Sequence, residues 1–114
     1  MSRGRVLALV VMTFAGRANA TCPLESTWRA GDVYAWDELE LARGGSGEWF
    51  EADRHRVLRT TRFTWQRDGS KLVITVNGAR REVHFTIVTA GDGCTLRFDA
   101  PPVDGASTEF YVSS

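Results

Sequence analysis

The stretch from Thr60 to Asp99 most constrains the fold of this chain, because apolar and polar residues alternate through it between three turn signals. Those signals are Asp68-Gly69, Asn77-Gly78 and Gly91-Asp92. Two-residue turns of this composition join antiparallel strands, since their backbone twist matches the right-handed twist of the strands they connect. The stretch therefore predicts four consecutive strands in an antiparallel meander.

The turns also predict which residues face each other across the sheet. With Asp68-Gly69 at the centre of the first turn, Trp65 is expected opposite Leu72. The last turn sets Phe85 opposite Phe98. A middle turn of two or four residues keeps the same parity, so the apolar side chains of all four strands share one face.

Shorter alternating segments flank the meander and predict further strands. These are Ser26–Trp28, Trp36–Ala42, Glu48–Ala52 and Thr108–Val112. Paired prolines predict a loop over Ala100–Ser107, because proline cannot donate to a ladder. Asp53–Arg59 is expected to be a loop or a ragged strand end. The predicted fold class is all-β: an antiparallel up-and-down meander of seven to eight short strands, closed as a small barrel that removes edge strands, with a two-sheet sandwich as the alternative.

The first twenty residues have the pattern of a cleaved signal peptide. Arg3 and Arg5 precede an apolar run of ten residues, and Ala18-Asn19-Ala20 is a small-residue cleavage pattern. A membrane-spanning helix needs about 20 apolar residues, which this run does not reach. We therefore expect a signal peptide at residues 1–20 and one mature domain at residues 21–114, with no transmembrane segment.

The mature domain would carry a small negative charge. Removing twenty residues from 114 leaves 94, and the removed part holds three of the fourteen basic residues and no acid. Eleven basic and fourteen acidic residues remain, a net charge of about −3. Nucleic acid is thus not an expected partner, since it requires a dominant basic surface.

Cys22 and Cys94 both lie in the predicted mature part, and an even cysteine count in an oxidising compartment favours a disulfide. Such a bond would tie the mature N-terminus to the last hairpin of the meander. The alternative is lipid attachment at Cys22, for which the preceding Asn19-Ala20-Thr21 is a poor match. The expected location is exported, either periplasmic or secreted.

No catalytic constellation is visible in the sequence, so we expect a non-enzymatic protein without cofactor or metal. His55 and His84 are far apart, and a zinc site needs three or four ligands. The acidic residues of the second and third predicted strands are expected to be solvated: Asp37, Glu38, Glu40, Glu48 and Glu51.

Two residue groups carry a functional hypothesis beside a structural one. Six aromatic residues either line a small apolar pocket or simply fill the barrel: Trp28, Phe63, Trp65, Phe85, Phe98 and Phe110. A basic group either binds an anionic ligand, a membrane surface or an acidic protein, or forms a solvated rim: Arg54, Arg56, Arg59 and Arg62, with Arg80-Arg81.

Several short motifs in order give the chain a resemblance to a known family. They are Trp28, Leu39-Glu40-Leu41, Gly45-Ser46-Gly47, Phe63-Thr64-Trp65 and Asp68-Gly69. In this order they resemble the small lipocalin-like (calycin-type) β-barrel domains of bacterial exported proteins. The resemblance implies a monomeric barrel that binds a small apolar or amphipathic ligand. The alternative function is a protein-binding module, such as an inhibitor or envelope accessory protein, that acts through a loop end or a sheet face.

Overall fold

A computed structural model describes residues 22–113, and within this range the chain is all-β. The predicted signal peptide lies outside the described residues. The strands are β1 (Thr27–Gly31), β2 (Ala35–Leu41), β3 (Ser46–Asp53), β4 (Val57–Asp68), β5 (Lys71–Val76), β6 (Ala79–Ala90), β7 (Gly93–Phe98) and β8 (Glu109–Ser113). Each strand pairs antiparallel with the next, and β8 also pairs with β1, so the meander closes into a barrel-like ring. The predicted all-β antiparallel meander is confirmed.

The turn between β4 and β5 differs from the predicted one by a register shift of two residues. Its central residues are Gly69 and Ser70, and Trp65 lies opposite Ile74 instead of Leu72. Gly69 has a φ of 63° and occupies the first central position, as a type II′ turn prefers, so no side chain is forced into the left-handed region there. A shift of two leaves the facing of every side chain unchanged, and for this reason the predicted apolar face survives.

The other two turns of the meander agree with prediction. Asn77 and Gly78 have φ values of 50° and 82° and form the two-residue turn between β5 and β6. Phe85 lies opposite Phe98 in the β6–β7 pair, as expected.

The β3–β4 hairpin resolves two points that the sequence left open. Trp49 points into the barrel and is fully buried, whereas its neighbour Phe50 faces outward. The segment Asp53–Arg59 is a short loop over residues 54–56, after which β4 begins directly at Val57. A register irregularity between Glu51 and Ala52 accommodates this tight connection.

Large side chains fill the interior of the ring. The largest fully buried residues are Trp28, Trp49, Phe110, Leu39, Leu41, Leu72, Ile74, Leu96, Val83, Val103 and Pro102. Phe63 lies over Gly47, its partner across β3 and β4, and a Cβ at that glycine would overlap the ring. Glycine at position 47 thus makes room for an aromatic side chain inside a narrow barrel.

The connection between β7 and β8 is the loop that the paired prolines predicted, but it belongs to the core. Pro102, Val103 and Ala106 are buried, and Val103 and Ala106 pack in the main hydrophobic cluster. This loop covers one end of the ring and adds apolar contacts to the core there.

Cys22 and Cys94 form the predicted disulfide, with their Cα atoms 6.2 Å apart. Both residues are buried in the core cluster. With the sulfur of Cys22 bonded to Cys94, the structure favours the disulfide over lipid attachment at Cys22. Within the described range, no helix has the length and hydropathy to cross a membrane.

Replacing both cysteines with alanine should lower the free energy of unfolding by about 2–4 kcal/mol, because the bond closes a long loop in the unfolded chain. The two cysteines are 72 positions apart in sequence. Urea titration of the double variant beside the oxidised protein would measure the loss. Equal midpoints for the two proteins would contradict the expected contribution.

Candidate functional site

One end of the barrel collects most of the residues that suggest function, and we call it the loop end. It is formed by residues 32–34, 54–56, 77–78 and 99–108, which connect β1 to β2, β3 to β4, β5 to β6 and β7 to β8. The pairing of β4 with β3 begins at Val57, whereas its pairing with β5 begins only at Thr64. The β3–β4 hairpin therefore extends beyond β5 at this end, and the β7–β8 loop lies beside it.

A buried carboxylate holds the β7–β8 loop onto the barrel. Asp37, only 7% exposed, accepts hydrogen bonds from the Trp49 indole N–H at 2.9 Å and from the Ser107 backbone N–H at 2.9 Å. Its other oxygen accepts from the Ser107 hydroxyl at 2.6 Å. Three donors satisfy a charge that would otherwise be costly to bury.

The expectation that Asp37 is solvated is therefore wrong. Side chains alternate along a strand, so Asp37 shares the inner face of β2 with Leu39 and Leu41. The alternation along β2 by itself places Asp37 on the inner face, whereas the prediction placed it with the outward-facing acidic residues. The donors that make its burial possible come from β3 and from the distant β7–β8 loop.

Arg59 crosses the mouth of the barrel at the loop end. Its guanidinium carbon lies 5.1 Å from the centroid of the Trp49 ring, and its Nε lies 3.6 Å from a carboxylate oxygen of Glu51. Gly105 packs directly against the guanidinium, and a Cβ at that position would overlap it. Part of the predicted basic rim thus packs on an aromatic ring and on the loop.

A cavity of about 310 Å³ opens at the loop end between β4, β5, β6 and the β7–β8 loop. Its lining residues are Thr61, Ile74, Val76, Ala79, Arg80, Arg81, Pro102, Val103 and Asp104. Five of these lining residues are apolar and four are polar or charged. Such a mixed lining has the chemistry of a site for an amphipathic molecule.

The charged groups at this cavity are held by defined contacts. Arg81 donates to a carboxylate oxygen of Asp104 and, at 3.1 Å, to the backbone carbonyl of Pro101. The Arg81 guanidinium, by hydrogen bonding and by charge, lowers the pKa of Asp104 below its ordinary value. Arg80 forms an ion pair with Glu82 at 3.0 Å. Arg81 thereby fastens the cavity wall to β6.

The six aromatic residues of the predicted ligand pocket lie away from this cavity, and five of them are buried in the core. Trp28 donates its indole N–H to the Leu24 carbonyl at 3.0 Å. Trp65 is partly buried and donates to the Ala42 carbonyl at 3.1 Å and the Ser46 carbonyl at 2.8 Å. None of the six borders the loop-end cavity: Trp28, Phe63, Trp65, Phe85, Phe98 and Phe110. Their contact with a ligand stays a prediction.

Phe85 borders a more open surface depression at the opposite end of the barrel. That depression of about 450 Å³ also touches Cys22, Leu24 and Arg67. The Arg67 guanidinium carbon lies 5.2 Å from the centroid of the Phe85 ring. The guanidinium thus lies over the Phe85 ring at this end of the barrel, as in a cation–π contact.

Asp99 and His84 connect the β7–β8 loop to β6. Asp99 accepts a hydrogen bond from the His84 backbone N–H at 2.9 Å, and this contact is the largest cause that lowers the pKa of Asp99. The His84 Nδ1 atom lies 3.3 Å from the other oxygen of Asp99. Among residues 22–113, no group of three or more His, Cys, Asp or Glu side chains is placed to hold a metal ion.

Comparison with known proteins supplies no relative. No protein-family model, no curated protein and no solved structure matches the chain. The loop-end geometry is therefore the basis for a functional proposal, and the lipocalin-like resemblance stays an interpretation of short motifs.

Proposed function

We propose that this chain is a small exported binding protein that takes up an amphipathic small molecule, non-covalently, at the mouth of its barrel. The observation that carries the proposal is the loop-end cavity. Ile74 and Val76 supply an apolar floor, and Arg80 and Arg81 stand at the edge. Its volume of about 310 Å³ is that of a small ligand site, since such sites start at about 300 Å³.

The filled interior supports a ligand at the mouth over a ligand in the centre. Trp28, Trp49 and Phe110 are fully buried against their neighbours, and they occupy the space that a central ligand would need. A barrel of about eight strands is just wide enough for side chains to fill it or for one small ligand. In this chain the short β5 and the β7–β8 loop create the space at the end of the ring instead.

Two observations support export of this binding protein. The Cys22–Cys94 disulfide is typical of proteins in oxidising compartments such as the bacterial periplasm or the extracellular space. The pattern of residues 1–20 is that of a signal peptide. The proposal includes no chemical step on the ligand. Protein binding through a loop end or a sheet face is the alternative.

Native mass spectrometry of the protein recovered from its exported compartment tests this proposal. We expect an extra mass that remains bound under native conditions and leaves on denaturation. Ala79→Phe should abolish the extra mass, because Ala79 is exposed and borders the cavity, so a phenyl ring there would occupy it.

Ala90→Phe is the matched control, since Ala90 is also exposed and ends the same strand that Ala79 begins. The control variant should keep the extra mass. A clean mass for the unmodified protein, or an extra mass that survives Ala79→Phe, would contradict binding at this cavity.

A further inference from the structure

A group of exposed apolar side chains lies in the β1–β2 loop and at the start of β4, both at the loop end. Val33 and Tyr34 are 71% and 61% exposed, and Val57 and Leu58 are 56% and 46% exposed. We call these four residues the tip patch. Other exposed large apolar side chains, such as Val88, lie on the strands outside this group. Contiguous exposed apolar residues indicate an interaction surface, whereas single ones need no explanation.

The two loops form one surface because Arg54 joins them. The Arg54 backbone N–H donates to the Tyr34 carbonyl at 3.2 Å. Its guanidinium carbon lies 5.5 Å from the centroid of the Tyr34 ring. These contacts hold the β1–β2 loop beside the loop that leads into Val57 and Leu58, so both parts of the tip patch lie at the projecting β3–β4 hairpin.

Several backbone N–H groups of both tips are already hydrogen-bonded inside the protein. Asp32 accepts from the N–H groups of Tyr34 and Ala35 at 2.8 and 3.1 Å. Asp53 accepts from the N–H groups of His55 and Arg56 at 2.9 and 3.0 Å. These N–H groups therefore keep their hydrogen-bond partners when the tips lose contact with water. A backbone must meet this condition to enter a lipid phase.

Two arginines beside the tip patch are available to an anionic surface. Within residues 22–113, Arg54 and Arg56 take part in no ion pair described for the fold. The carboxylates of Asp32 and Asp53 are directed at backbone N–H groups, and these hydrogen bonds are the largest cause that lowers the pKa of each. Both carboxylates thus point at N–H groups of their own loops, while both arginines keep guanidinium donors for phosphate.

We propose that the tip patch docks the protein on an anionic lipid surface. Tyr34, Val57 and Leu58 would lie at the boundary between headgroups and acyl chains, and Arg54 and Arg56 would contact lipid phosphates. None of the cavities described above is bordered by a residue of the patch. A fluid bilayer accepts such protruding side chains without a shaped partner, whereas a protein partner needs a matching pocket for each anchor.

Docking in this way would turn the mouth cavity toward the lipid, because both features lie at the loop end. The inference does not depend on the proposed function. The residues of the tip patch are different from those that line the cavity, so each can be altered alone.

Flotation with lipid vesicles tests the inference, using the exported, disulfide-bonded chain. Vesicles of equal parts phosphatidylglycerol and phosphatidylcholine should bind the protein, and vesicles of phosphatidylcholine alone should bind it at least tenfold less. Raising the salt concentration should weaken binding, because the arginine contacts are screened. The variant Val57→Ser with Leu58→Ser should lose about tenfold or more in affinity, because it removes buried apolar area.

Matched controls separate the patch from general surface effects. Val88→Ser removes an exposed valine elsewhere on the barrel and should leave binding unchanged. Arg54→Gln with Arg56→Gln should lose about 25-fold, since each basic residue near an anionic surface contributes roughly fivefold. Arg43→Gln, in the exposed β2–β3 loop at the opposite end, should have no such effect.

The inference is overturned by several outcomes. One is the absence of binding to anionic vesicles above the phosphatidylcholine background. Another is equal binding by the patch variant and Val88→Ser while both keep their melting temperatures. A third is a protein partner that cross-links to the tip patch while vesicles do not bind, which would assign the surface to protein docking.

Discussion

Phe110→Ala should destabilise the protein by about 3–5 kcal/mol, because it removes a fully buried ring and leaves a cavity that neighbouring strands cannot close. Phe110 lies on β8, the strand that closes the ring by pairing with β1 on one side and β7 on the other. Its ring packs edge-on against Phe98, with centroids 6.1 Å apart and planes at 82°. The loss of stability therefore arises where β8 closes the barrel by pairing with β1.

Tyr111→Ala is the control for that experiment, since Tyr111 is the next residue on the same strand and faces solvent. It should cost well under half as much, because it removes an exposed ring and its hydrogen bond to Glu109. Urea unfolding followed by tryptophan fluorescence would measure both variants. Similar losses for the two would show that the interior at Phe110 is not packed as described.

Asp37→Ala should also lower the free energy of unfolding by about 3–5 kcal/mol, since it leaves buried donors of Trp49 and Ser107 without partners. The same change releases the β7–β8 loop, which forms the wall of the cavity. We therefore expect faster amide hydrogen exchange at Ser107 and loss of any ligand held at the mouth. Hydrogen exchange combined with urea unfolding measures the two effects on one sample.

Asp37→Asn separates geometry from charge at the same position. An asparagine carbonyl can accept from both N–H groups, and its NH₂ can donate to the Ser107 hydroxyl, which then becomes an acceptor. We expect this variant to lose only about 1 kcal/mol. Glu40→Ala, on the exposed face of β2, should change stability very little. A loss for Asp37→Asn as large as that for Asp37→Ala would mean that the charge itself holds the loop.

The hydrogen bonds of Asp37 also show why the candidate site was harder to predict than the fold. Arg80 and Arg81 stood out in the sequence as a basic pair beside a turn, and the structure places both at the cavity. The apolar floor was predicted only as part of an inner face. The loop that completes the cavity was recognised by its prolines, but nothing in its local pattern indicated that Val103 would enter the core.

The sequence by itself determined the all-β antiparallel meander and its turns at Asn77-Gly78 and Gly91-Asp92, because alternation and turn chemistry are local properties. It also limited an intramolecular disulfide to Cys22 with Cys94, since the sequence has two cysteines, and the structure shows that bond. Only the tertiary structure decided the site. Asp37 meets Ser107 across 70 positions of sequence, and the cavity exists because β5 ends short of the β3–β4 hairpin. Such contacts depend on the lengths of several strands and on the closure of the barrel. A local sequence pattern contains neither of these properties.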